Sequence, residues 1–361
     1  MGLDHVLVAG GGSGGHVFPA LAVVHELARR NCGVSWLGRI EGMEKSLVED
    51  HGIPYYGLPA AAVVGRGLPQ RGVALARTAI SAVRARGLIR RHGIEVVLGT
   101  GGYVSAPGVL GAKLAGRPAV LLEPNATTGT ANRWLSQWAN VAAVANVEGA
   151  RDLKCRIQET GVPVRQEFFG EYSPPAPSGP LRILVLGGSQ GAQQLNRLVP
   201  AALALLNREL LDLEVAHQVG AAHLEDAQRA YADPLLAHLS VEIVPFLNDM
   251  AGAMSKAHLV ISRAGAITLS EICAMGRAAL LFPLGLAGSH QEANARQVVS
   301  TGGARMLSGK QVTASEVASV LGDLLANREI LVDMGKTSRM LFRREAVTDV
   351  ADLLAEVTGA H

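Results

Sequence analysis

A glycine-rich loop followed by a histidine is the first feature of this sequence that could carry chemistry. Residues 10–15 are Gly-Gly-Gly-Ser-Gly-Gly, and His16 comes directly after them. A loop of this kind leads from a buried strand into a helix, whose free N–H groups and dipole favour an anion such as phosphate. His16 would lie in the first helical turn, where the dipole disfavours imidazolium, so a neutral ring can act as a general base. A tight turn without ligand, beside a structural histidine, is the alternative.

The same loop also has the spacing of a dinucleotide site. Gly10, Gly12 and Gly15 satisfy G-x-G-x-x-G, so a nicotinamide or flavin cofactor must be considered. The next strand, 34–38, ends without the acidic residue that would bind a ribose, and the loop carries an extra glycine and the histidine. No Gly-Lys-Ser/Thr follows, which excludes a Walker loop. These features disfavour an NAD-dependent oxidoreductase but leave it as an alternative.

Three further segments place glycines and hydroxyl residues directly after apolar runs. Residues 99–102 are Gly-Thr-Gly-Gly, followed by Tyr103, and residues 187–191 are Gly-Gly-Ser-Gln-Gly. Residues 262–271 begin with Ser-Arg-Ala-Gly and end in Glu271, within the first two turns of a predicted helix. There, N–H groups can bind a diphosphate while the carboxylate accepts both hydroxyls of a ribose. The alternative is an acidic residue that only complements the helix dipole.

No metal or bound cofactor is expected at these loops. The sequence contains neither a D-x-D nor an H-E-x-x-H pattern, so a diphosphate would be held by backbone N–H groups and helix dipoles. Its three cysteines, Cys32, Cys155 and Cys273, are far apart and form no C-x-x-C pair. This pattern excludes a disulfide framework and a cysteine zinc site, and it is typical of a reducing compartment.

The elements that must hold these loops follow an α/β pattern. Apolar runs of strand length alternate with segments of helical periodicity, an order typical of βαβ units and parallel sheets. Besides the strands that enter loops 10–15 and 187–191, the predicted strands are 34–37, 96–98, 119–122, 213–218, 241–244, 259–261 and 279–282. Helices are predicted at about 16–30 and 192–207. Both halves open alike, so the sequence predicts two Rossmann-like domains whose parallel sheets face a cleft that binds the ligands.

Length and composition agree with two globular domains. The chain has 361 residues, 48% of them apolar and only 18% charged, which excludes a disordered protein. Residues 170–180 contain four prolines and predict an exposed linker at or near the domain boundary. We expect neither a signal peptide nor a membrane-spanning helix, because no apolar run has the required length.

Positive charge is concentrated in one segment. Between His51 and Ile94 there is no acidic residue, and the segment has seven arginines: Arg66, Arg71, Arg77, Arg84, Arg86, Arg90 and Arg91. The net charge of the whole chain is only +2, so the rest is mildly acidic. A local basic surface indicates an anionic partner. Since no aromatic residue lies among the arginines, a membrane surface is favoured over nucleic acid.

Four motifs together resemble those of the bacterial peptidoglycan N-acetylglucosaminyltransferases, which convert lipid I to lipid II. The motifs lie in order at residues 10–22, 99–107, 186–192 and 262–271. The resemblance implies a GT-B fold: an acceptor and membrane-docking domain at 1–164, a UDP-sugar domain at 165–340, and a C-terminal helix at 341–361 that packs back on the first domain. It also implies an inverting, metal-independent hexosyltransferase at the cytoplasmic face of the cell membrane. That enzyme acts in peptidoglycan synthesis, on which cell shape and division depend.

The resemblance assigns a substrate and a role to particular residues. The donor is UDP-N-acetylglucosamine, and the acceptor is undecaprenyl-diphosphate-linked N-acetylmuramoyl-pentapeptide, whose C4 hydroxyl is deprotonated by His16. Substrate-binding positions are Ser13, Gly14, Gly15, Asn125, Arg165, Ser189, Leu247, Ala266, Ile267, Thr268, Leu269, Ser270, Glu271 and Gln291. Further acceptor-side positions are Gly102, Tyr103 and Glu123. Asn125 and Gln291 face the transferred sugar, Arg165 the donor, Ser189 a phosphate, Leu247 the uracil and Glu271 the ribose.

Some positions depart from the family pattern. Ser13 replaces a threonine, and Leu122-Glu-Pro-Asn125 stands where the family has His-Glu-Gln-Asn. Residues 284–291 are less polar than usual before the final His-Gln. Alternative functions are another GT-B transferase with a different lipid acceptor, a UDP-sugar 2-epimerase that needs no acceptor, and a non-catalytic nucleotide-sugar-binding subunit.

Overall fold

Two parallel sheets with helices on both faces make up the protein. The computed structural model describes residues 2–59, 68–188, 191–206, 212–285, 290–309 and 311–359. The chain forms two compact units: unit 1 comprises Met1–Gln166 and Arg343–His361, and unit 2 comprises Glu167–Phe342. The resemblance placed these divisions two residues earlier, after 164 and 340. Arg165 therefore belongs to unit 1 rather than to the second domain.

Unit 1 contains a sheet of seven parallel strands in its described residues. They are β1 (His5–Ala9), β2 (Gly33–Arg39), β3 (Tyr55–Leu58), β4 (Val96–Gly99), β5 (Ala119–Glu123), β6 (Val141–Val144) and β7 (Arg156–Glu159), in the order β3-β2-β1-β4-β5-β6-β7. The helices between them are α1 (Gly14–Arg29), α2 (Glu44–Asp50), α3 (Leu68–Arg91), α4 (Ala106–Ala115) and α5 (Thr130–Leu135).

Unit 2 repeats the design with six parallel strands in its described residues. They are β8 (Leu181–Leu186), β9 (Leu213–Gln218), β10 (Ser240–Val244), β11 (Leu259–Ser262), β12 (Ala278–Leu281) and β13 (Ala304–Met306), in the order β10-β9-β8-β11-β12-β13. Its helices are α6 (Gln193–Leu203), α7 (Leu224–Tyr231), α8 (Met250–Lys256), α9 (Ala266–Met275), α10 (Gln291–Ser300), α11 (Ala314–Leu325) and α12 (Arg328–Arg339).

The last helix, α13 (Ala346–Thr358), lies in unit 1. Its residues Val350 and Leu354 are fully buried in the same apolar cluster as Val17 and Leu21 of α1. On its polar side, Glu356 pairs with Arg156 at 2.7 Å. The C-terminal segment thus completes one layer of unit 1, because it covers apolar surface that α1 alone leaves open.

Alternating side chains of β1 divide the core of unit 1 between the two faces of the sheet. Val6 and Val8 lie in the cluster formed with α1 and α13, whereas Leu7 and Ala9 lie in the cluster on the side of α3 and α4. Strands buried on both faces need continuous apolar runs, which is why the sequence reveals them. The central strands of unit 2 are buried in the same way.

Strand order brings the four predicted loops together in two pairs. In unit 1 the order reverses at β1, which pairs with β2 on one side and β4 on the other, so Ala9 lies beside both Leu37 and Gly99. In unit 2 the reversal is at β8, where Leu186 lies beside Ser262 of β11. Ligands of open parallel sheets bind at the carboxyl ends of strands where the order reverses. Loops 10–15 and 99–102 occupy that place in unit 1, and residues 187, 188 and 263–266 occupy it in unit 2.

Every predicted strand forms, but four observed strands were not predicted. Strands β3, β7 and β13 are at or next to sheet edges, are partly exposed, and carry no apolar run. Strand β6 is Val-Ala-Ala-Val, whose alanines equally suit a helix. Helix α1 begins two residues before the predicted start at His16, and α6 ends at Leu203, four residues before the predicted end at 207. Residue 207 is outside the described residues.

The proline-rich stretch 170–180 contains no helix or strand, as predicted, and it begins four residues after the first segment of unit 1 ends. It lies inside unit 2, after the division at Gln166. The guanidinium of the buried Arg277 donates to the carbonyl of Ser173 at 2.8 Å, and His258 Nε2 lies 2.9 Å from the carbonyl of Ala176. The stretch is therefore fixed along the surface of unit 2.

Candidate functional site

The first glycine loop uses some of its N–H groups for its own structure. The N–H of Gly10 donates to the carbonyl of Leu37 at 3.1 Å, and that of Gly12 donates to Oε2 of Glu44 at 3.1 Å. In the described part of the chain, no acceptor takes the N–H of Gly14 or Gly15, the first residues of α1. The anion-binding capacity predicted for the loop is thus concentrated at the start of α1, beside the exposed Ser13.

His16 lies against the second glycine loop of unit 1. A Cβ built on Gly101 would be 3.1 Å from Cε1 and 3.2 Å from Nδ1 of the imidazole, and one on Gly102 would be 3.4 Å from Nε2. Both glycines have positive φ angles, 89° and 66°. Only glycine lets this backbone run so close to the ring at such angles. The structure therefore brings together the predicted base and Gly102.

A buried carboxylate organises the loop that carries Asn125. Glu123 is only 2% exposed, and its Oε1 accepts hydrogen bonds from the backbone N–H and the Nδ2 of Asn125, at 3.1 and 2.8 Å. Its Oε2 accepts from the N–H of Gly129 at 2.8 Å and from Nδ2 of Asn132 at 3.0 Å. The carboxylate of Glu123 thus accepts four hydrogen bonds, all from residues between the end of β5 and the first turn of α5. This geometry indicates that Glu123 positions Asn125.

Arg165 and Tyr103 contact side chains near the glycine loops of unit 1. The guanidinium of Arg165 lies 4.8 Å from the ring centroid of Phe18, on the first turns of α1. A Cβ on Gly14 would be 2.9 Å from that ring. The hydroxyl of Tyr103 accepts a hydrogen bond of 3.3 Å from Nη1 of Arg39. Both predicted residues therefore lie close to predicted anion-binding elements.

In unit 2 the loop after β8 is only partly described. Ser189 is outside the described residues. Gly188 and Gly191 have φ angles of 78° and 77°, and a Cβ on Gly191 would be 2.0 Å from the carbonyl oxygen of Val219. Gln218 joins this loop to Leu247, because its Nε2 donates to the carbonyl of Gly188 at 2.9 Å and its Oε1 accepts from the N–H of Leu247 at 3.4 Å.

Helix α9 presents its open N-terminus at the switch point of unit 2. Gly265 caps the helix and supplies no side chain, and no described group accepts from the N–H of Ala266, Ile267 or Thr268. The N–H of Leu269 is used within the turn, and the hydroxyl of Ser270 donates to the carbonyl of Ala266 at 2.9 Å. These three N–H groups and the helix dipole are thus available to an anion, and the predicted binding of a diphosphate here stays a prediction.

Glu271 and Gln291 also lie on helices of unit 2. Glu271 is the sixth residue of α9 and is 6% exposed. Gln291 begins α10, and its Oε1 accepts from the N–H of Leu284 at 2.9 Å. Residues 286–289, which precede α10, are outside the described residues. The structure thus places Gln291 near the end of β12, while its predicted contact with the sugar stays a prediction.

Glu44 is one of the residues near the glycine loops that the sequence did not reveal. It is fully buried, and its carboxylate accepts from the N–H groups of Gly12 and Arg39 at 3.1 and 2.9 Å, and from the hydroxyl of Tyr55 at 3.3 Å. The sequence shows no acidic residue at the end of β2, and Glu44 was not predicted there because it follows five residues later, on α2. Its oxygens bind backbone rather than presenting a free carboxylate to a ribose.

The described residues contain no group of three or more His, Cys, Asp and Glu side chains that could hold a metal ion. None of the described helices combines the length and apolar character needed to cross a bilayer. Cys32, Cys155 and Cys273 are free thiols.

Comparison with known proteins identifies the family. The model of the glycosyltransferase family 28 N-terminal domain matches residues 6–144, and that of the C-terminal domain matches residues 182–354. A protein of Ectopseudomonas mendocina named UDP-N-acetylglucosamine--N-acetylmuramyl-(pentapeptide) pyrophosphoryl-undecaprenol N-acetylglucosamine transferase is 42% identical over 361 residues, covering 98% of each chain. This chain belongs to glycosyltransferase family 28. A protein of the same name from Psychrobacter arcticus is 38% identical over 363 residues, with 98% of this chain and 99% of the relative covered. The family predicted from the four motifs is confirmed.

Solved structures support the same fold. The crystal structure of Acinetobacter baumannii MurG has a TM-score of 0.80 and 34% identity, covering 98% of this chain and 99% of that one. A UDP-N-acetylglucosamine 2-epimerase structure from Listeria monocytogenes has a TM-score of 0.71 at 14% identity, with 100% and 98% covered, and shares the fold alone. The predicted GT-B arrangement of two Rossmann-like units is confirmed for this family 28 member.

Proposed function

We propose that this chain transfers N-acetylglucosamine from UDP-N-acetylglucosamine to the C4 hydroxyl of undecaprenyl-diphosphate-linked N-acetylmuramoyl-pentapeptide. The observation that carries this is the pair of glycine loops at the switch point of unit 1, with His16 held between them, in a member of glycosyltransferase family 28. Relatives of 38–42% identity over nearly the whole chain carry the name of this transferase. A binding subunit would need no base at this place.

His16 supplies the proton acceptor in the proposed reaction. It takes the proton of the C4 hydroxyl as the oxygen attacks the anomeric carbon, the bond from that carbon to the UDP oxygen breaks, and the configuration inverts. The rigid backbone of Gly101 and Gly102 against the ring restricts its orientation. Asn125, held by Glu123, orients the transferred sugar. The N–H groups of Gly14 and Gly15 bind phosphate oxygens.

Unit 2 binds the donor in this proposal. The N–H groups of Ala266, Ile267 and Thr268 hold the diphosphate, and the negative charge that develops on the leaving UDP is stabilised by the dipole of α9. Glu271 accepts from the ribose hydroxyls. The N–H of Leu247 is engaged with Gln218, so the carbonyl of Leu247 is the group that would accept from uracil. The free helix N-termini provide this stabilisation without an obligatory metal ion.

Helix α3 docks unit 1 on an anionic membrane in this proposal, at the cytoplasmic face of the cell membrane. Its side chains are described from residue 72 onward. Val73, Ile80 and Val83 are 54–60% exposed, and Arg77 and Arg84 are exposed on the same helix. An outer face that alternates apolar and basic side chains suits insertion at a lipid interface. Arg66 and the side chain of Arg71 are outside the described residues.

The test is a transfer assay with labelled UDP-N-acetylglucosamine, with and without the lipid-linked acceptor. We expect labelled lipid product only with the acceptor, and we expect most of the activity to survive EDTA. Conversion of the donor without acceptor would indicate a 2-epimerase, and transfer to another lipid but not to this one would indicate a different acceptor. A change in absorbance at about 340 nm with NAD would indicate an oxidoreductase. Complete loss in EDTA that metal restores would contradict metal independence.

A further inference from the structure

Arg39 is the last residue of β2, at the carboxyl edge of the sheet in unit 1. Its backbone is fixed on both sides: the N–H donates to Oε1 of Glu44 at 2.9 Å, and the carbonyl accepts from the hydroxyl of Tyr55 at 2.5 Å. The N–H of Gly42 also donates to that carbonyl at 3.3 Å. The Arg39 backbone is therefore held by the buried carboxylate of Glu44 and the half-buried Tyr55, and its carbonyl also closes the turn that ends at Gly42.

The same carboxylate that holds Arg39 holds the first glycine loop. Oε2 of Glu44 accepts from the N–H of Gly12 at 3.1 Å, and a Cβ on Gly11 would be 2.3 Å from the carboxyl carbon. Glu44 is fully buried, so its two oxygens cannot turn to water. A single side chain thus sets the distance between Arg39 and the loop that begins α1.

The guanidinium of Arg39 points toward the second glycine loop. Its Nη1 donates to the hydroxyl of Tyr103 at 3.3 Å, and Tyr103 follows the two glycines that flank His16. Arg39 is half-buried, and it makes no ion pair with any carboxylate that the structure describes. Exposed arginines such as Arg29 and Arg296 do have such partners. A guanidinium carries five N–H donors, so a neutral phenol leaves most of this group's capacity unused.

We propose that Arg39 binds a phosphate oxygen of the acceptor's diphosphate and thereby sets the affinity for the acceptor. A planar, permanently charged guanidinium suits a phosphate, and a half-buried cation without a counter-ion is stabilised when an anion binds. The diphosphate is favoured over a carboxylate of the stem peptide because Glu44 ties Arg39 to the anion-binding glycine loop. The inference rests on the proposed function.

Steady-state kinetics with Arg39→Met test the proposal. Methionine keeps the length and the backbone bonds but removes the charge. We expect the acceptor KM to rise roughly ten- to hundredfold, the loss typical of a hydrogen bond to a charged group, with little change in kcat. UDP affinity by calorimetry should be unchanged, and Arg39→Lys should restore part of the acceptor affinity. The control is Arg29→Met, whose side chain is 72% exposed on α1.

Two acceptors distinguish the diphosphate from the stem peptide: one with the full pentapeptide and one whose stem is cut to its first residue. An equal rise in KM for both supports the proposal, whereas a rise only with the full stem would overturn it. An unchanged KM would also overturn it. Inorganic diphosphate as an inhibitor competing with the acceptor should bind more weakly to Arg39→Met. If wild-type protein does not use the acceptor at all, the proposed function fails, whereas retained diphosphate binding that depends on Arg39 would still support the site.

Discussion

Oε2 of Glu123 accepts a hydrogen bond of 3.0 Å from Nδ2 of Asn132, so the end of β5 is tied to the first turn of α5. The same Nδ2 donates to the carbonyl of Leu122 at 3.0 Å. Asn132 in turn lies near the base, because a Cβ on Gly101 would be 3.4 Å from its Nδ2 and 3.2 Å from Nδ1 of His16. The buried carboxylate of Glu123 therefore fixes the positions of both Asn125 and Asn132, and Asn132 lies near His16.

Replacing Glu123 with glutamine should damage both stability and turnover. The four groups around the carboxylate are all N–H donors, so the amide nitrogen of a glutamine would face at least one of them. Leaving buried donors unsatisfied should lower the free energy of unfolding of unit 1 by about 1–3 kcal/mol. Since Asn125 would lose its position, kcat/KM should fall as well.

Tryptophan fluorescence during thermal unfolding measures this effect, because Trp36, Trp134 and Trp138 all lie in unit 1. The control is Glu148→Gln, since that side chain is 80% exposed. Unchanged melting and turnover in Glu123→Gln would show that the carboxylate does not organise this loop.

His16→Ala should lower kcat by about 10² to 10⁴, the range for loss of a general base, and leave UDP affinity nearly unchanged. The reason is that His16 belongs to unit 1, whereas the donor diphosphate is assigned to α9 of unit 2. Single-turnover kinetics and calorimetry separate the two effects. His25→Ala is the matched control, because His25 is exposed on the same helix. A kcat equal to that of the wild type would remove His16 from the catalytic role.

The sequence predicted the position in the fold of those loops that directly follow apolar runs. Loops 10–15 and 99–102 stand at the ends of strands with four consecutive buried residues, so their shared edge and the place of His16 could be deduced from strand order rules. Glu44, Asn132 and Arg39 could not, since a charged or amide side chain in a polar segment gives no sign that packing will bury it. Apart from the bond between Glu44 and the N–H of Arg39, the side-chain contacts that give them their roles join residues 9 to 64 positions apart in sequence.

Glu271→Ala should chiefly weaken the binding of UDP, by roughly 1.5–3 kcal/mol, as expected for a hydrogen bond to a charged group. Because Glu271 is 6% exposed, truncation also removes packing, and Glu271→Gln separates the charge from the volume. Calorimetry with UDP is the measurement. Glu292→Ala on α10, whose side chain is 51% exposed, is the control. Unchanged affinity in both Glu271 variants would place the ribose contact elsewhere.

His217 should make the stability of unit 2 depend on pH. It is fully buried beside Tyr231, with Nδ1 2.9 Å from the hydroxyl, and burial lowers its pKa from 6.5 to about 4. As pH falls from about 6.5 to about 4, His217 becomes protonated in the unfolded chain but stays neutral in the folded unit. The free energy of unfolding should then fall with decreasing pH, by up to about 3 kcal/mol, and no such loss occurs above pH 6.5.

His217→Gln should flatten the pH dependence of unit 2 in that window. Denaturation followed by circular dichroism is suitable, since no tryptophan lies in unit 2. The exposed His238 provides the control variant His238→Gln. Identical slopes for wild type and His217→Gln between pH 4 and 6.5 would contradict the assignment.

The outer face of α3 should bind anionic membranes in a salt-dependent way. Arg77, Arg84 and Arg91 are exposed and spaced by seven residues, or about two helical turns, so they lie on one side of the helix. Val73 and Ile80 have the same spacing and are 54% and 56% exposed, whereas Ala82, Ala85 and Ile89 are buried on the opposite side. Each arginine near a negative surface contributes about 1 kcal/mol, which salt screens.

Reversing the charge of Arg77, Arg84 and Arg91 to glutamate should therefore abolish sedimentation with vesicles that contain anionic lipid, while calorimetric UDP affinity is kept. The control reverses Arg151, Arg229 and Arg296, which changes the net charge equally at side chains that are 70–74% exposed elsewhere. Because these three form only surface ion pairs, their reversal should cost little stability. If the α3 variant binds vesicles at low salt as well as the wild type, another surface makes the membrane contact. If both variants lose binding equally, the net charge of the protein, rather than this face of α3, determines binding.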